Sequence, residues 1–395
     1  MKRARRARYV AMTSSLAMLA LAAMASADPM DDLIAAAKQE GQLTVIALPR
    51  DWCGYGGIID GFKDKYGLAV NELDPDASSA EEIEAVRTSE HGAGPGTPDV
   101  IDIGLSFAAS AKEDGLLQPY KVQNWNTIPH SAKDTDGYWY GDYYGTIAFE
   151  VNTDLVKNIP TDWADLSKPE YRESVALAGG LESNQAILSI VAAGLSSTNG
   201  SVGEIAAQGL KFFAELNRVG NLVPLIGRSD TLGDGRTPIV IRWDYLALSD
   251  RDRLRDQYRI VVVRPKTGVV AGQYVQAISA FAPHPNAARL WMEYLFSDEV
   301  QLAWLTSHCH PIRYADLARN GKVPMRPDDT VPRQNDLHHD AQPKFPTAEE
   351  QEKAREIITN GWDDIVGVEI LCQPPEEPPV PMSLKSGPTP HRQCG

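Results

Sequence analysis

From residue 43 onward the apolar positions switch repeatedly between two periods. Residues 43–48 form a short apolar run that predicts a strand, Ile58, Ile59, Phe62 and Tyr66 recur at helical spacing, and residues 68–73 predict a second strand. Residues 76–82 open a helix, with capping side chains ahead of Glu81 and Glu82, and residues 99–103 predict the next strand. The stretch 92–98 between them is too rich in Gly and Pro for either regular structure and predicts a loop. A strand–helix–strand–helix series of this kind predicts an α/β fold with a mixed, mostly parallel sheet covered by helices on both faces.

A second series starts after Thr146. Residues 175–178, 238–242 and 259–263 predict strands, and residues 183–193 and 205–218 predict helices. Residues 286–296 and 298–305 predict two helices whose apolar side chains, Leu290, Met292, Leu295, Phe296, Leu302, Trp304 and Leu305, suit a covering role. Beyond Cys372 the prolines crowd together, which predicts an extended or disordered appendage over 373–395. Two α/β lobes in succession are the simplest organisation.

Composition narrows the class. The chain has 395 residues, of which 43% are apolar and 23% charged, an ordinary globular composition long enough for two or three domains. Its formal charge of −15 argues against a nucleic-acid partner, which calls for a basic field. Residues 1–27 hold five basic residues and no acid, followed by a short apolar run and the small-residue site Ala25-Ser26-Ala27. That order predicts a secretory signal peptide cleaved after Ala27, and removing its five positive charges from −15 takes the mature protein to −20. No later stretch approaches a membrane span, so the expected location is periplasmic. Cys53, Cys309, Cys372 and Cys394 allow up to two disulfides in such a compartment, with three connectivities that sequence does not rank.

Several local stretches carry a resemblance. Ile159-Pro160-Thr161-Asp162-Trp163-Ala164-Asp165-Leu166-Ser167-Lys168-Pro169-Glu170-Tyr171 is similar to the Pro-x-x-Trp-x-Asp-Leu-x-x-Pro-x-Tyr segment of type II extracytoplasmic solute-binding proteins of ABC importers. The group includes ferric-iron, polyamine, thiamine and phosphorylated-solute binders. Tyr144-Gly145 through Val151-Asn152-Thr153 resembles the group's exit from the first lobe, and Ala282 to Gln301 resembles the helix pair after the chain returns. The resemblance covers roughly residues 40–310. It implies two hinged lobes that close on a small solute, an ABC permease as membrane partner, a monomer, no cofactor and no bond-making chemistry. The implied organisation is a first lobe over 28–145 with 273–305 returning to it, and a second over 146–272 with 306–372 packing on it.

Ligands of such folds sit between the lobes, at the carboxyl ends of strands. The turn after the first strand is glycine-rich and carries Asp51, Trp52 and Tyr55. Its aromatics either stack on a flat or cationic ligand, an interaction worth roughly 1–2 kcal/mol when desolvated, or pack the loop against its own lobe. Ser78, Ser79, Ser183 and Asn184 stand at helix starts, where they bind a polar or anionic group or serve as ordinary caps. Asp142 and Tyr143 precede the hinge, Arg242, Trp243 and Asp244 end a second-lobe strand, and Tyr274 lies after the second crossing.

Aromatics and a carboxylate from each lobe favour a cationic or amine-bearing solute, because an unpaired carboxylate in a closed cleft is costly. Arg50 and Arg242 either pair with those acids or receive a phosphate, which keeps open an anionic solute, a phosphonate or sugar phosphate, with ferric iron as the other alternative. Ferric-binding relatives place adjacent tyrosines at the second-lobe strand end, where this chain has Trp243-Asp244-Tyr245, and polyamine binders place an acid where it has Gly272-Gln273-Tyr274. A thiamine-like ligand suits the remaining inventory. Ser307-His308-Cys309-His310 and His338-His339 offer metal-type side chains but match no compact zinc spacing, so no metal site is predicted. Hydrolase and nucleotide motifs such as Gly-x-Ser-x-Gly are absent from the sequence, and an exported hydrolase is the alternative class.

Overall fold

The computed structural model describes residues 28–91, 94, 96–323 and 343–372. The expected signal peptide, Gly92, Ala93 and Pro95 of the 92–98 loop, His338-His339 and the proline-rich tail lie outside the described residues. In chain order the elements are α1 (Pro29–Glu40), β1 (Gln42–Ile46), α2 (Tyr55–Tyr66), β2 (Ala69–Leu73), α3 (Ser79–Thr88), β3 (Val100–Gly104), α4 (Leu105–Glu113), β4 (Leu117–Gln118) and β5 (Trp139–Asn152). There follow β6 (Val175–Leu177), α5 (Asn184–Leu195), α6 (Val202–Val219), α7 (Ser229–Gly233), β7 (Ile239–Trp243), α8 (Asp244–Arg253), β8 (Ile260–Val263) and β9 (Ala271–Ser279). The chain closes with α9 (Pro285–Leu295), α10 (Asp298–Thr306), β10 (His310–Pro311), α11 (Tyr314–Arg319) and α12 (Ala348–Ile365).

The strands run in the order β2-β1-β3-β9-β5-β7-β6. The outer pairs, β2 with β1, β1 with β3 and β7 with β6, are parallel. The middle is antiparallel, because β9 returns between β3 and β5 and because β5 pairs antiparallel with β7 and β8. Both α/β series are therefore present, and the antiparallel share comes from β5 and β9, which the hydropathy pattern does not mark. Polar residues interrupt them: Asp142 within β5, and Gln273 and Gln276 within β9, are all buried.

β5 belongs to both lobes. Its residues 139–146 pair with β9 in the first sheet, and 147–152 pair with β7 and β8 in the second. The crossing at Thr146 is held by Asp244 at the start of α8, whose Oδ1 accepts from the Thr146 backbone N–H at 2.9 Å and whose Oδ2 accepts from its hydroxyl at 2.7 Å. Gly145 is required beside this clamp, since a Cβ there would come within 2.5 Å of the Tyr245 ring.

The segment after α10 does not keep to one lobe. β10 pairs with β5 at Tyr143 and Tyr144, on the first-lobe side. α12 presents Gln351, Ala354, Ile358 and Trp362 as a buried stripe and packs against α4 as well as α5 and α6. The expectation that 306–372 packs on the second lobe describes only part of these contacts.

One disulfide is defined within the described residues. Cys53, in the turn before α2, is bonded to Cys309, after α10, at a Cα–Cα distance of 5.6 Å and a sequence separation of 256. It ties the cleft-side turn to the returning helix pair. A restraint spanning so long a loop stabilises by about 2–5 kcal/mol, chiefly through the unfolded chain. The double variant Cys53→Ser with Cys309→Ser should therefore lose about that much in denaturant unfolding, and reduced wild type should unfold alongside it. An unchanged midpoint would mean that the bond restrains nothing.

Candidate functional site

Between the lobes lies a cavity of about 330 Å3. First-lobe turns, helix starts and strands form one wall, including Asp51, Trp52, Ser78, Ser79, Glu82, Asp102, Tyr143 and Tyr274. The other wall holds Glu182, Ser183, Asn184, Arg228, Ser229, Arg242 and Asp250. The lobes touch beside it. Ser106 of α4 donates to Asn184 Oδ1 at 3.1 Å, and residue 104 is glycine because a Cβ there would occupy the place of the Asn184 side chain.

Nine of the thirteen residues singled out from sequence line this cavity: Asp51, Trp52, Ser78, Ser79, Tyr143, Ser183, Asn184, Arg242 and Tyr274. Trp52, Tyr143 and Tyr274 form its aromatic floor. Tyr143 and Tyr274 stack at 5.7 Å, Trp52 meets Tyr274 edge-on at 5.6 Å, and Trp52 Nε1 donates to the Tyr143 hydroxyl at 2.8 Å. The serines are engaged locally. Ser78 forms a capping box with Glu81, Ser183 accepts from the Ala186 N–H at 3.2 Å, and Ser79 Oγ accepts from the Gly104 N–H at 3.0 Å.

The other four lie behind the wall, which corrects the sequence reading. Tyr55 is fully buried and bonded to Asp102, Asp142 and Gln276, because its position as the first residue of α2 turns the ring inward. Asp142 is fully buried, its Oδ1 taking the Tyr143 N–H at 2.8 Å. Trp243 is a core side chain stacked on Tyr245 at 6.3 Å. Asp244 is the clamp on Thr146 described above, with Arg264 and His310 each at 3.3 Å. Burial alone would push Asp244 up, but His310, Arg264 and the Thr146 N–H hold its carboxyl well below the usual range.

The arginines also differ from expectation. Arg50 pairs with Asp60 and Glu72, not with the candidate cleft acids. Arg242 bridges Glu150 and Asp250, each at 2.9 Å, so its charge is already matched, and burial pushes Glu150 up to about 7 despite that arginine. As for the metal-type cluster, Cys309 is in the disulfide, His308 pairs with Asp252 and His310 with Asp244. Among the described residues no group of three or more His, Cys, Asp or Glu is arranged to hold a metal ion.

Sequence reasoning missed Asp102. It sits on β3, 4% exposed, and lines the cavity. Its Oδ2 lies 2.9 Å from the Tyr55 hydroxyl and accepts from Tyr143 at 3.0 Å, while its Oδ1 is buried without a hydrogen-bond partner. Burial pushes this carboxyl up to about 7 against the pull of Tyr55, Tyr143 and Gln276, and burial also raises Glu82 and Asp142 well above the carboxylate range. The signal was a lone acid in the apolar run Val100-Ile101-Asp102-Ile103, where a purely structural strand has no use for one. Glu182 and Arg228, also missed, lie in loops that hydropathy does not read.

The relatives are consistent in kind. Residues 96–350 match the model of a family described as bacterial extracellular solute-binding protein. Iron-bound HitA from Pseudomonas aeruginosa superposes with a TM-score of 0.62 at 16% identity, over 83% of this chain and 99% of that one. AfuA from Actinobacillus pleuropneumoniae, a periplasmic binding protein with exogenous fructose-6-phosphate bound, gives the same four values. An ABC transporter substrate-binding protein from Bradyrhizobium japonicum gives 0.63 at 14%, over 82% of this chain and 99% of that one. No curated protein matches the sequence. These likenesses bear on the fold, which is the two-lobed type II binding-protein architecture.

Two consequences can be measured. An acid whose native pKa lies above its unfolded value costs stability as pH rises between the two, because the native state alone is still protonated. Wild type should thus lose stability relative to Asp102→Asn as pH rises from about 4 to about 8, and parallel urea midpoints would contradict this. Asp244→Ala strips Thr146, Arg264 and His310 of a buried acceptor and should cost about 3–5 kcal/mol of folding stability with no solute present. A variant as stable as wild type would return Asp244 to the ligand-facing set.

Proposed function

The chain belongs to the bacterial extracellular solute-binding protein family, and we propose that it captures a small cationic or amine-bearing solute, thiamine-like or polyamine-like, at Asp102. As the substrate-binding component of an ABC transporter, it hands its solute to membrane permease subunits. The observation that carries the choice of solute is Asp102, an acid lining the cavity whose Oδ1 is buried without a hydrogen-bond partner. A donor from the solute satisfies it, and a cationic donor gains most because charge-assisted hydrogen bonds are the stronger ones. The surroundings agree in sign. Asp51, Asp76, Glu81 and Glu182 also line the cavity, and Arg242 is already matched. Trp52 and Tyr274, with Tyr143 stacked behind Tyr274, give the cavity an aromatic floor suited to a flat cation.

Around this site the proposed organisation is the two lobes meeting at the β5 crossing near Thr146, with a signal peptide ending at Ala27 directing a monomer to the periplasm. The solute bridges the lobes and selects the closed form, which the permease distinguishes from the open one. The function is capture without turnover.

A second reading rests on Arg228. It lines the second-lobe wall beside Ser229 and has no ion-pair partner among the described residues. An anionic solute such as a sugar phosphate, which AfuA carries, suits that side chain. Ferric iron has less support as cargo, because the second-lobe strand ends in Trp243-Asp244-Tyr245, with a single phenol and an acid already engaged by Thr146.

A thermal-shift panel separates these readings. Thiamine and spermidine, each present at about 100 times its dissociation constant, should stabilise by about 2.7 kcal/mol. Asp102→Asn should abolish the shift and Arg228→Ala should leave it. A response confined to fructose 6-phosphate or ferric citrate, and lost in Arg228→Ala, would overturn the cationic reading.

A further inference from the structure

Behind the cavity the Tyr55 hydroxyl stands between two carboxylates. It lies 2.9 Å from Asp102 Oδ2 and 3.1 Å from Asp142 Oδ2, and Gln276 Nε2 donates to it at 3.0 Å. A phenol has one hydrogen to give and two lone pairs to receive. Gln276 occupies one lone pair, and the single O–H reaches only one of the two acids. The remaining contact is attractive only if the other carboxyl carries a proton and donates it to the tyrosine oxygen. Turning the Gln276 amide over does not help, since its oxygen would then claim the O–H and both acids would need protons.

Among the described residues, none that bonds to the pair supplies positive charge instead. Glu82 of α3 accepts the Asp102 N–H at 2.8 Å and adds a third acid. β5 contributes Tyr143, β9 contributes Gln276 and Tyr274, and α8 brings Asp244 and Tyr245 to the same side. Among the described residues no Lys, Arg or His forms a hydrogen bond or ion pair with Asp102, Asp142 or Glu82. Two anions in one dry site share a proton rather than both ionise.

We propose that Asp102 and Asp142 hold one proton between them through Tyr55 in the empty protein, and that a cationic solute arriving at Asp102 expels it, so that capture exchanges a cation for a proton. The inference rests on the cationic reading above. The balance is simple: the ammonium or ring cation enters with its charge, one carboxyl O–H bond breaks, and the proton leaves to solvent. Asp142 and Tyr55 are positioning residues, since neither lines the cavity. Because proton and cation compete, affinity should fall about tenfold for each pH unit below the range where the pair deprotonates.

Isothermal titration of thiamine and spermidine into the full-length protein, in two buffers of different ionisation heat near pH 7, counts the protons released. Wild type should release about one per probe bound, and Asp142→Asn should bind with none released and with flattened pH dependence. Should that variant fail to fold, infrared difference spectra of wild type provide the same readout, as loss of a protonated-carboxyl band on adding the probe. Binding with no proton released and no pH dependence would overturn the exchange while leaving the cationic reading intact. If neither amine binds and fructose 6-phosphate does, the cationic reading falls and takes the exchange with it.

Discussion

The continuity of β5 across the two sheets is the constraint on which the rest of the molecule depends. A single 14-residue strand serves as the spine of both lobes, so the relative placement of the two cleft walls is set by backbone pairing on either side of Thr146. Asp244 fixes that point from α8 with two hydrogen bonds, and Arg264 and His310 keep it charged in a place where burial would otherwise neutralise it. The same strand, a few residues earlier, delivers Asp142 and Tyr143 to the back of the cavity. The crossing between the sheets and the back wall of the candidate cavity are thus consecutive stretches of one element, and a shift in the crossing must move that wall.

The two buried aspartates on either side of this arrangement have opposite electrostatics. Asp244 has Arg264 and His310 beside it and accepts from Thr146 and Tyr245, and it is held below the ordinary carboxylate range. Asp102 has only phenols and an amide, and burial lifts it to about 7. A fully matched carboxylate stabilises the scaffold and offers a solute nothing. An undermatched one is a standing cost in the empty protein, recovered when a donor arrives. This difference, and not the mere presence of an acid, is the ground for assigning Asp102 and not Asp244 to the proposed binding role.

Much of the fold was legible because its strands and helices obey simple periods. The predicted elements of both series recur within a few residues of their observed bounds, from β1 to α10. What escaped was specific. β5 and β9 carry buried polar residues that break the apolar pattern, α8 shows no clean stripe, and α12 follows a long irregular stretch. For the site, position after a strand or at a helix start correctly brought nine side chains to one cavity. It failed for Tyr55, Asp142, Trp243 and Asp244, because spacing tells which loop a residue occupies and not which way the side chain points. Asp102 escapes a sequence reading for the converse reason: within an apolar run it reads simply as part of a strand, although an acid in a central strand has a buried charge to satisfy.

The account turns on the sign of the solute's charge. Native mass spectrometry of the protein purified without denaturation from its expression host, followed by exact-mass identification of whatever is released on unfolding, addresses that directly. The account predicts a small cationic or amine-bearing compound retained by wild type and lost from Asp102→Asn. Retention of a phosphorylated or other anionic solute by both proteins would contradict it.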